Sequence, residues 1–248
     1  MIKEKKDKEQ GLMASKYPIV LAHGVAIKDF GLFRAFGKIE KNLKKQGYRV
    51  YSAKTDGFGR TENNARQLKA FVLEVLEREG AEKVNLIGFS KGGLDSRYMI
   101  ENLDMSESVA SLTTLCTPHG GSALATKLLK LPKFAVRCIE FFLNLLYKIL
   151  GDERPDALAV GQELSLKERT ADEGKNFPQT VHCRSYSATE DELVSKESAA
   201  FGDYRGHCLN EPLKHLGISD CTVFNKKKRE RVYGFYLTLC EELTALGF

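Results

Sequence analysis

The run Lys83-Val84-Asn85-Leu86-Ile87-Gly88-Phe89-Ser90-Lys91-Gly92-Gly93-Leu94-Asp95-Ser96-Arg97-Tyr98 carries the strongest fold signal in the chain. Val84 to Ile87 is a short apolar run of the kind that makes a buried strand, and it stops at Gly88. Helical character follows from Leu94 to Leu103. Between them stands Ser90, with Gly88 and Gly92 two residues away on either side: G-x-S-x-G in a strand–turn–helix setting. Such a turn holds serine in strained backbone at the carboxyl edge of a sheet, and side chains at the glycine positions would collide as strand and helix close. The first helical N–H groups then point at charge developing beside the serine oxygen. The pattern predicts a serine nucleophile. Without the strand and helix it would be only a glycine-rich turn.

Upstream, Tyr17 to Ala22 reads as a buried strand ending in His23-Gly24-Val25. A helix is expected next, with Leu32, Phe36, Ile39 and Leu43 on one face and Gly47 as its stop. Arg49 to Ala53 alternates as a strand, Asp56 to Gly59 is a loop, and Thr61 is placed to cap a helix ending at Gly80. Downstream, Val109 to Cys116 is another β-branched strand. Strands alternating with amphipathic helices imply right-handed crossovers and a parallel sheet covered on both faces. The predicted fold class is α/β, doubly wound. Residues 1–16 read as a polar tail and 17–248 as a single domain.

After Thr117-Pro118-His119-Gly120-Gly121-Ser122 the alternation breaks. Residues 123–150 form two helical pieces split at Pro132. The second, Phe134 to Leu150, is apolar around most of its circumference yet carries Arg137, Glu140 and Lys148, and it is too short for a membrane span. It is either a buried helix or part of a lid over an apolar site, with 123–165 as the insertion. Asp152 to Asn176 is polar and partly helical. Thr180 to Ala188 is a strand, and the last helix runs from Arg231 to Leu246 with Val232, Phe235, Leu239 and Leu243 facing inward.

Lys+Arg 38 against Asp+Glu 33 leaves a net charge of +5, spread along the chain. The densest basic cluster, Lys226-Lys227-Lys228-Arg229, reads as a solvated loop or helix start rather than a nucleic-acid patch. The six cysteines show neither CxxC nor metal-ligand spacing and read as reduced, mostly buried thiols. No cofactor or metal is expected. Met1 to Gln10 is charged and no apolar run follows it, so the expectation is a cytoplasmic protein without signal peptide or transmembrane segment.

A serine nucleophile needs a base for its proton, an acid to orient that base, and donors for the oxyanion. Asp191 stands just after a late strand, where the acid belongs, with Glu190 as the fallback. The expected oxyanion donors are the N–H of Lys91 and an N–H from the loop after Gly24, most simply that of Val25.

Three stretches resemble the bacterial true lipases, the triacylglycerol-lipase branch of the α/β-hydrolases: Tyr17 to Gly24, Gly88 to Tyr98 and Leu112 to Ser122. Weaker similarity continues through Glu62 to Ala65 and Glu190 to Ser195. The resemblance implies an ester hydrolase acting on lipid or other apolar acyl esters, with transient lipid-interface contact through the lid. It gives Ser90 and Asp191 their family roles, while His23 and His119 belong to motifs that shape the site. Phe89 stands where these lipases usually carry histidine. The family's base lies in a Gly-Ile-Ser-His-like turn, and here the chain reads Gly217-Ile218-Ser219-Asp220. The carboxylate two residues later, a calcium ligand in some members, is matched by Thr222. Of the five histidines, His182 lies in a strand, which leaves His215 or His207 as the base, or none. With His215 the protein is an esterase or lipase. With none, it is a silenced hydrolase fold that binds an apolar ligand or partner. An acyltransferase on the same triad is equally compatible with the residues.

Overall fold

Ile19, Val20, Leu21 and Ala22 offer no polar side chain to water, and as strand β1 (Ile19–Ala22) they are buried on both faces. The same holds for β3 (Val84–Phe89) and β4 (Val109–Leu115), every residue of which is buried. Strands buried on both sides are the mark of a parallel sheet covered by helices. The computed structural model describes residues 15–30, 33–166, 177–221 and 225–248. With β2 (Val50–Ser52), β5 (His182–Ser187) and β6 (Asp203–His207), its six strands pair in the order β2-β1-β3-β4-β5-β6. All these pairings are parallel. This is the α/β-hydrolase architecture.

One core cluster packs Ile19, Leu21, Ile87 and Phe89 against α1 (Ile39–Lys45) and the last helix, α8 (Lys226–Ala245). The other packs Val20, Leu86 and Leu112 against α2 (Thr61–Glu79) and α3 (Lys91–Asn102). β1 has β2 on one side and β3 on the other, so the chain reverses its winding there. The crevice at the carboxyl ends of β1 and β3 is where an open α/β sheet places its ligand.

Several elements depart from the sequence reading. The first helix is shorter than its apolar spacing suggested: α1 starts at Ile39, and Phe36 is buried from the preceding turn. Leu32, assigned to that helix, lies outside the described residues, as do part of Asp152 to Asn176 and most of the N-terminal tail. Thr61 is not a cap. It is the first residue of α2, and its N–H and hydroxyl both donate to Glu163 at 2.8 Å, so a distant carboxylate caps the helix. β6 was not anticipated, because Asp203-Tyr204-Arg205-Gly206-His207 is a polar edge strand without an apolar signal.

Between β4 and β5 run α4 (Ala123–Leu129), α5 (Lys133–Ile149) and α6 (Ala157–Glu163), with Pro132 ending one helix and preceding the next. The two ends of this segment are tied together: the Ser122 N–H donates to the Leu164 carbonyl at 2.7 Å, and the Leu166 N–H to Thr126 Oγ1 at 2.8 Å. The buried-helix reading of α5 does not hold. Phe134, Phe142 and Ile149 are 79%, 67% and 74% exposed, Phe141 and Leu145 lie on the same side, and only Tyr147 is buried. α7 (Lys196–Ala199) is a single turn packed beside β5. No helix among the described residues is long and apolar enough to cross a membrane.

Candidate active site

Ser90 occupies the turn between β3 and α3 with φ 51°, the left-handed backbone that serine rarely adopts. Its surroundings enforce it. A Cβ on Gly92 would lie 2.2 Å from the Ala22 carbonyl oxygen, and one on Gly88 would lie 2.6 Å from the Gly93 Cα. Only glycine lets the strand end and the helix approach this closely. The Ser90 N–H donates to the Leu115 carbonyl at 2.9 Å, which fixes the turn to the neighbouring strand end.

His215 Nε2 lies 2.9 Å from Ser90 Oγ, and His215 Nδ1 lies 2.8 Å from Asp191 Oδ2. The carboxylate on the Nδ1 side keeps the imidazole proton there and leaves Nε2 as the acceptor for the serine hydroxyl. Both the histidine and the acid side chains are 3% exposed. Asp191 is oriented in turn by the Leu193 and Val194 N–H groups, which donate to Oδ1 at 3.0 and 2.8 Å. The acid loop and the histidine loop are held in register by backbone: the Glu190 N–H donates to the Leu213 carbonyl at 3.0 Å, and the Leu213 N–H to Thr189 Oγ1 at 2.8 Å. Phe89 packs its ring 5.2 Å from the imidazole, the two planes inclined at 43°. Glu190 itself points to solvent and takes no part.

The sequence left the base open between His215, His207 and none. His215 stands at the head of the 3-10 turn His215–Ser219, facing Ser90, whereas Asp220 closes that turn with φ 62°. Asp220 is buried away from the serine. Its Oδ2 accepts the Lys38 N–H at 3.0 Å and its Oδ1 the Arg229 Nε–H at 2.8 Å. His207 sits on β6 with Nδ1 2.9 Å from Ser187 Oγ, and His182 lies half-buried in β5 beside Phe248. Thr222 lies outside the described residues.

Gly24 lies against Ser90, since a Cβ there would be 2.8 Å from the Ser90 Cβ. Val25 follows it in a turn closed by the Ile27 N–H to the Gly24 carbonyl, 3.4 Å. Lys91 opens α3, so its N–H has no partner within the helix. Its side chain, 1% exposed, donates to Asp95 at 2.6 Å, and Asp95 also receives Asn64 at 3.2 Å. Burial pushes the Asp95 carboxyl up to about 6 against the opposing pull of Lys91. His23 sits beneath the loop with Nδ1 3.0 Å from the Gly24 carbonyl and Nε2 3.1 Å from Thr55 Oγ1. Burial lowers its pKa and keeps it neutral. His119 is stacked 4.5 Å from Phe201 and bonds Thr114 Oγ1 at 3.2 Å.

The sequence reading missed Cys116 as a neighbour of the acid. It directly follows β4 with φ 52°, and its ligating atom lies within 4.8 Å of those of Asp191 and His215. The thiol's pKa is driven well up, first by contact with Cys208 and then by burial, so it stays protonated. This is the metal-type cluster found among the described residues, and its histidine and carboxylate are already bonded to each other. The only signal in the sequence was a cysteine directly after a strand at the catalytic edge.

Comparison with known proteins places this geometry in a family context. The palmitoyl protein thioesterase family model matches residues 18–154. A triacylglycerol lipase of Pseudarthrobacter phenanthrenivorans is 35% identical over 227 residues, covering 84% of this chain and 70% of that protein. The triacylglycerol lipase of Burkholderia plantarii is also 35% identical, over 84% of this chain and 62% of its own length. Among solved structures, the mature form of Bacillus licheniformis lipase BlEst2 superposes with a TM-score of 0.62 at 19% identity, over 91% of this chain and 92% of that one. The metagenomic carboxyl esterase MGS0156 does so at 0.67 and 16%, over 92% and 76%. At such identities these two speak for the fold alone.

Proposed function

Because the chain belongs to the triacylglycerol-lipase family of α/β-hydrolases, we propose that it cleaves apolar acyl esters through an acyl-enzyme on Ser90. The observation that carries this reading is the 2.9 Å contact between Ser90 Oγ and His215 Nε2, with Asp191 on the other ring nitrogen. Ser90 Oγ attacks the ester carbonyl carbon as its proton passes to His215 Nε2. The carbonyl oxygen becomes an oxyanion held by the Val25 and Lys91 N–H groups. Collapse breaks the ester C–O bond, and His215 returns the proton to the leaving alcohol. Water then repeats the sequence on the acyl-serine and releases the acid. Asp191 stabilises the imidazolium in both halves.

The substrate class is a lipid or other apolar acyl ester. The segment 123–165 acts as a lid, and the exposed apolar stripe of α5, flanked by Lys127, Lys130, Lys133 and Arg137, makes transient contact with a lipid interface. The silenced-fold alternative rested on aspartate at the family's base position. Asp220 is engaged by Lys38 and Arg229, while a histidine five residues earlier faces the serine.

The test is a p-nitrophenyl ester panel from acetate to long acyl chains, with an acyl thioester beside it, run on the wild type and Ser90→Ala. A fluorophosphonate probe followed by peptide mapping supplies the second readout. Turnover lost in Ser90→Ala and labelling at Ser90 are expected. Unchanged turnover in the alanine variant, or labelling elsewhere, contradicts the proposal.

A further inference from the structure

We infer that Tyr147 is a positioning residue for the oxyanion donor, tying α5 to the loop that carries Val25; this rests on the role proposed above for that loop. Tyr147 is the buried residue of a helix that leaves Phe134, Phe141, Phe142 and Ile149 exposed. Its hydroxyl donates to the Ala26 carbonyl at 2.7 Å across 121 residues of sequence. Ala26 has φ 62°, left-handed backbone that an alanine rarely adopts unaided, so something outside the loop must hold it. Two bonds do so. The Ala26 N–H donates to the Gly57 carbonyl at 2.9 Å, and the Ala26 carbonyl accepts from Tyr147.

Both anchors belong to one clamp. The Tyr147 ring meets the Phe58 ring edge-on at 4.6 Å, and a Cβ on Gly57 would lie 2.5 Å from it, so ring and loop are in full contact. Asp152, just past the end of α5, accepts the Gly57 and Phe58 N–H groups at 3.0 and 2.9 Å, and Lys28 Nζ at 2.5 Å. The carboxyl end of α5 therefore grips the loops on both sides of the Gly24–Ile27 turn. That turn lies directly against Ser90. Without the tyrosine hydroxyl, Ala26 keeps one anchor of two, and the turn is free to relax toward ordinary φ. The Val25 N–H then loses its fixed direction toward the reacting carbonyl. A preorganised donor acts by needing no reorganisation at the moment of reaction, so this loss appears in the chemical step.

The test is Tyr147→Phe, which keeps the ring packing and removes the bond. Rates are normalised to active sites titrated with the fluorophosphonate, so that any unfolded fraction is not counted. Removing one oxyanion donor outright lowers kcat by about 10²–10³, and loosening one should lower it about tenfold. The expected result is that fall in kcat with KM within about twofold and the same factor on acetate and octanoate esters, as loss of a transition-state contact requires. Affinity for an alkyl boronate, which forms the tetrahedral adduct, should weaken in parallel. Unchanged kcat in Tyr147→Phe, with the wild type labelled at Ser90, overturns this inference and leaves the proposed reaction standing. So does a loss that appears only on long acyl chains, which would make Tyr147 part of the acyl wall. A wild type that neither turns over esters nor labels at Ser90 overturns both.

Discussion

Asp220 stands at the position that the resemblance to the bacterial lipases gives to the catalytic base, and replacing it separates a structural carboxylate from a failed catalytic one. In Asp220→Ala the Lys38 N–H loses a buried ionised acceptor, 3.0 Å away and 3% exposed, a bond worth about 1.5–3 kcal/mol. The Arg229 partner is 35% exposed, and its contribution is discounted to about 0.5 kcal/mol. Residue 220 is left-handed at φ 62°, which alanine tolerates less well than aspartate, a further cost of about 1 kcal/mol. The sum is on the order of 3–4.5 kcal/mol, which for a chain of this size lowers Tm by roughly 6–18 °C. Asp220→Asn keeps the acceptor but not the charge and should lose about half as much. Turnover per titrated active site should stay within about threefold of wild type, less than 1 kcal/mol of barrier. The assays are a thermal melt and p-nitrophenyl ester hydrolysis on the same samples. The reasoning fails if Asp220→His raises turnover about tenfold or more, equivalent to 1.4 kcal/mol of barrier. It fails equally if Asp220→Ala abolishes turnover while Tm is unchanged.

His23 has its pKa lowered by burial, so its contribution to stability is present above the ordinary histidine value of 6.5 and is lost as pH falls through the folded-state value. The Tm difference between wild type and His23→Gln should therefore shrink as pH drops from 7 to 5; a constant difference contradicts this. Lys91→Met leaves Asp95 buried without its cation and should cost about 3–5 kcal/mol, with Lys91→Met/Asp95→Leu regaining most of it in denaturant melts. Since burial raises Asp95 above its unfolded 3.8 and Lys91 opposes that rise, the single variant should recover stability as pH falls toward the ordinary carboxylate range, and a variant insensitive to pH there would show Asp95 to be solvated. Phe141→Ser and Phe142→Ser should flatten the preference for longer acyl chains, measured as kcat/KM along an ester series. Each buried CH₂ contributes about 0.8 kcal/mol, close to fourfold per methylene. A preference left intact would mean that the stripe never meets the acyl chain.

The sheet was legible in the sequence because strands buried on both faces are nearly pure apolar runs, as Val84 to Ile87 and Ile19 to Ala22 are. The turn at Ser90 was legible because close backbone approach leaves a glycine signature at fixed offsets. Asp191 could be placed because an acid must follow a late strand. His215 could be named but not chosen, since the same Gly217-Ile218-Ser219-Asp220 turn is compatible with two loop paths. Only the tertiary bonds from Glu190 and Thr189 to Leu213 decide which residue faces the serine. The first helix was drawn too long because Phe36 is buried from a turn, and spacing alone cannot tell a turn from a helix. β6 was missed because an edge strand needs no apolar alternation. Tyr147 and Cys116 gave no warning, as a tyrosine in an apolar helix and a cysteine after a strand ordinarily signal packing.

The account stands on His215 taking the proton of Ser90, and the most direct measurement is kcat of His215→Ala per mole of folded protein, set beside the wild type on the same basis. Asp191 would keep its bonds from Leu193 and Val194 in this variant, and the oxyanion amides would be untouched. Loss of the histidine alone should therefore lower kcat by about 10⁴–10⁶, the range known for serine hydrolases that lose their base. His207→Ala should leave kcat within about twofold, under 0.5 kcal/mol of barrier. Ester turnover that survives His215→Ala at near wild-type rate would contradict the account and place the proton acceptor elsewhere.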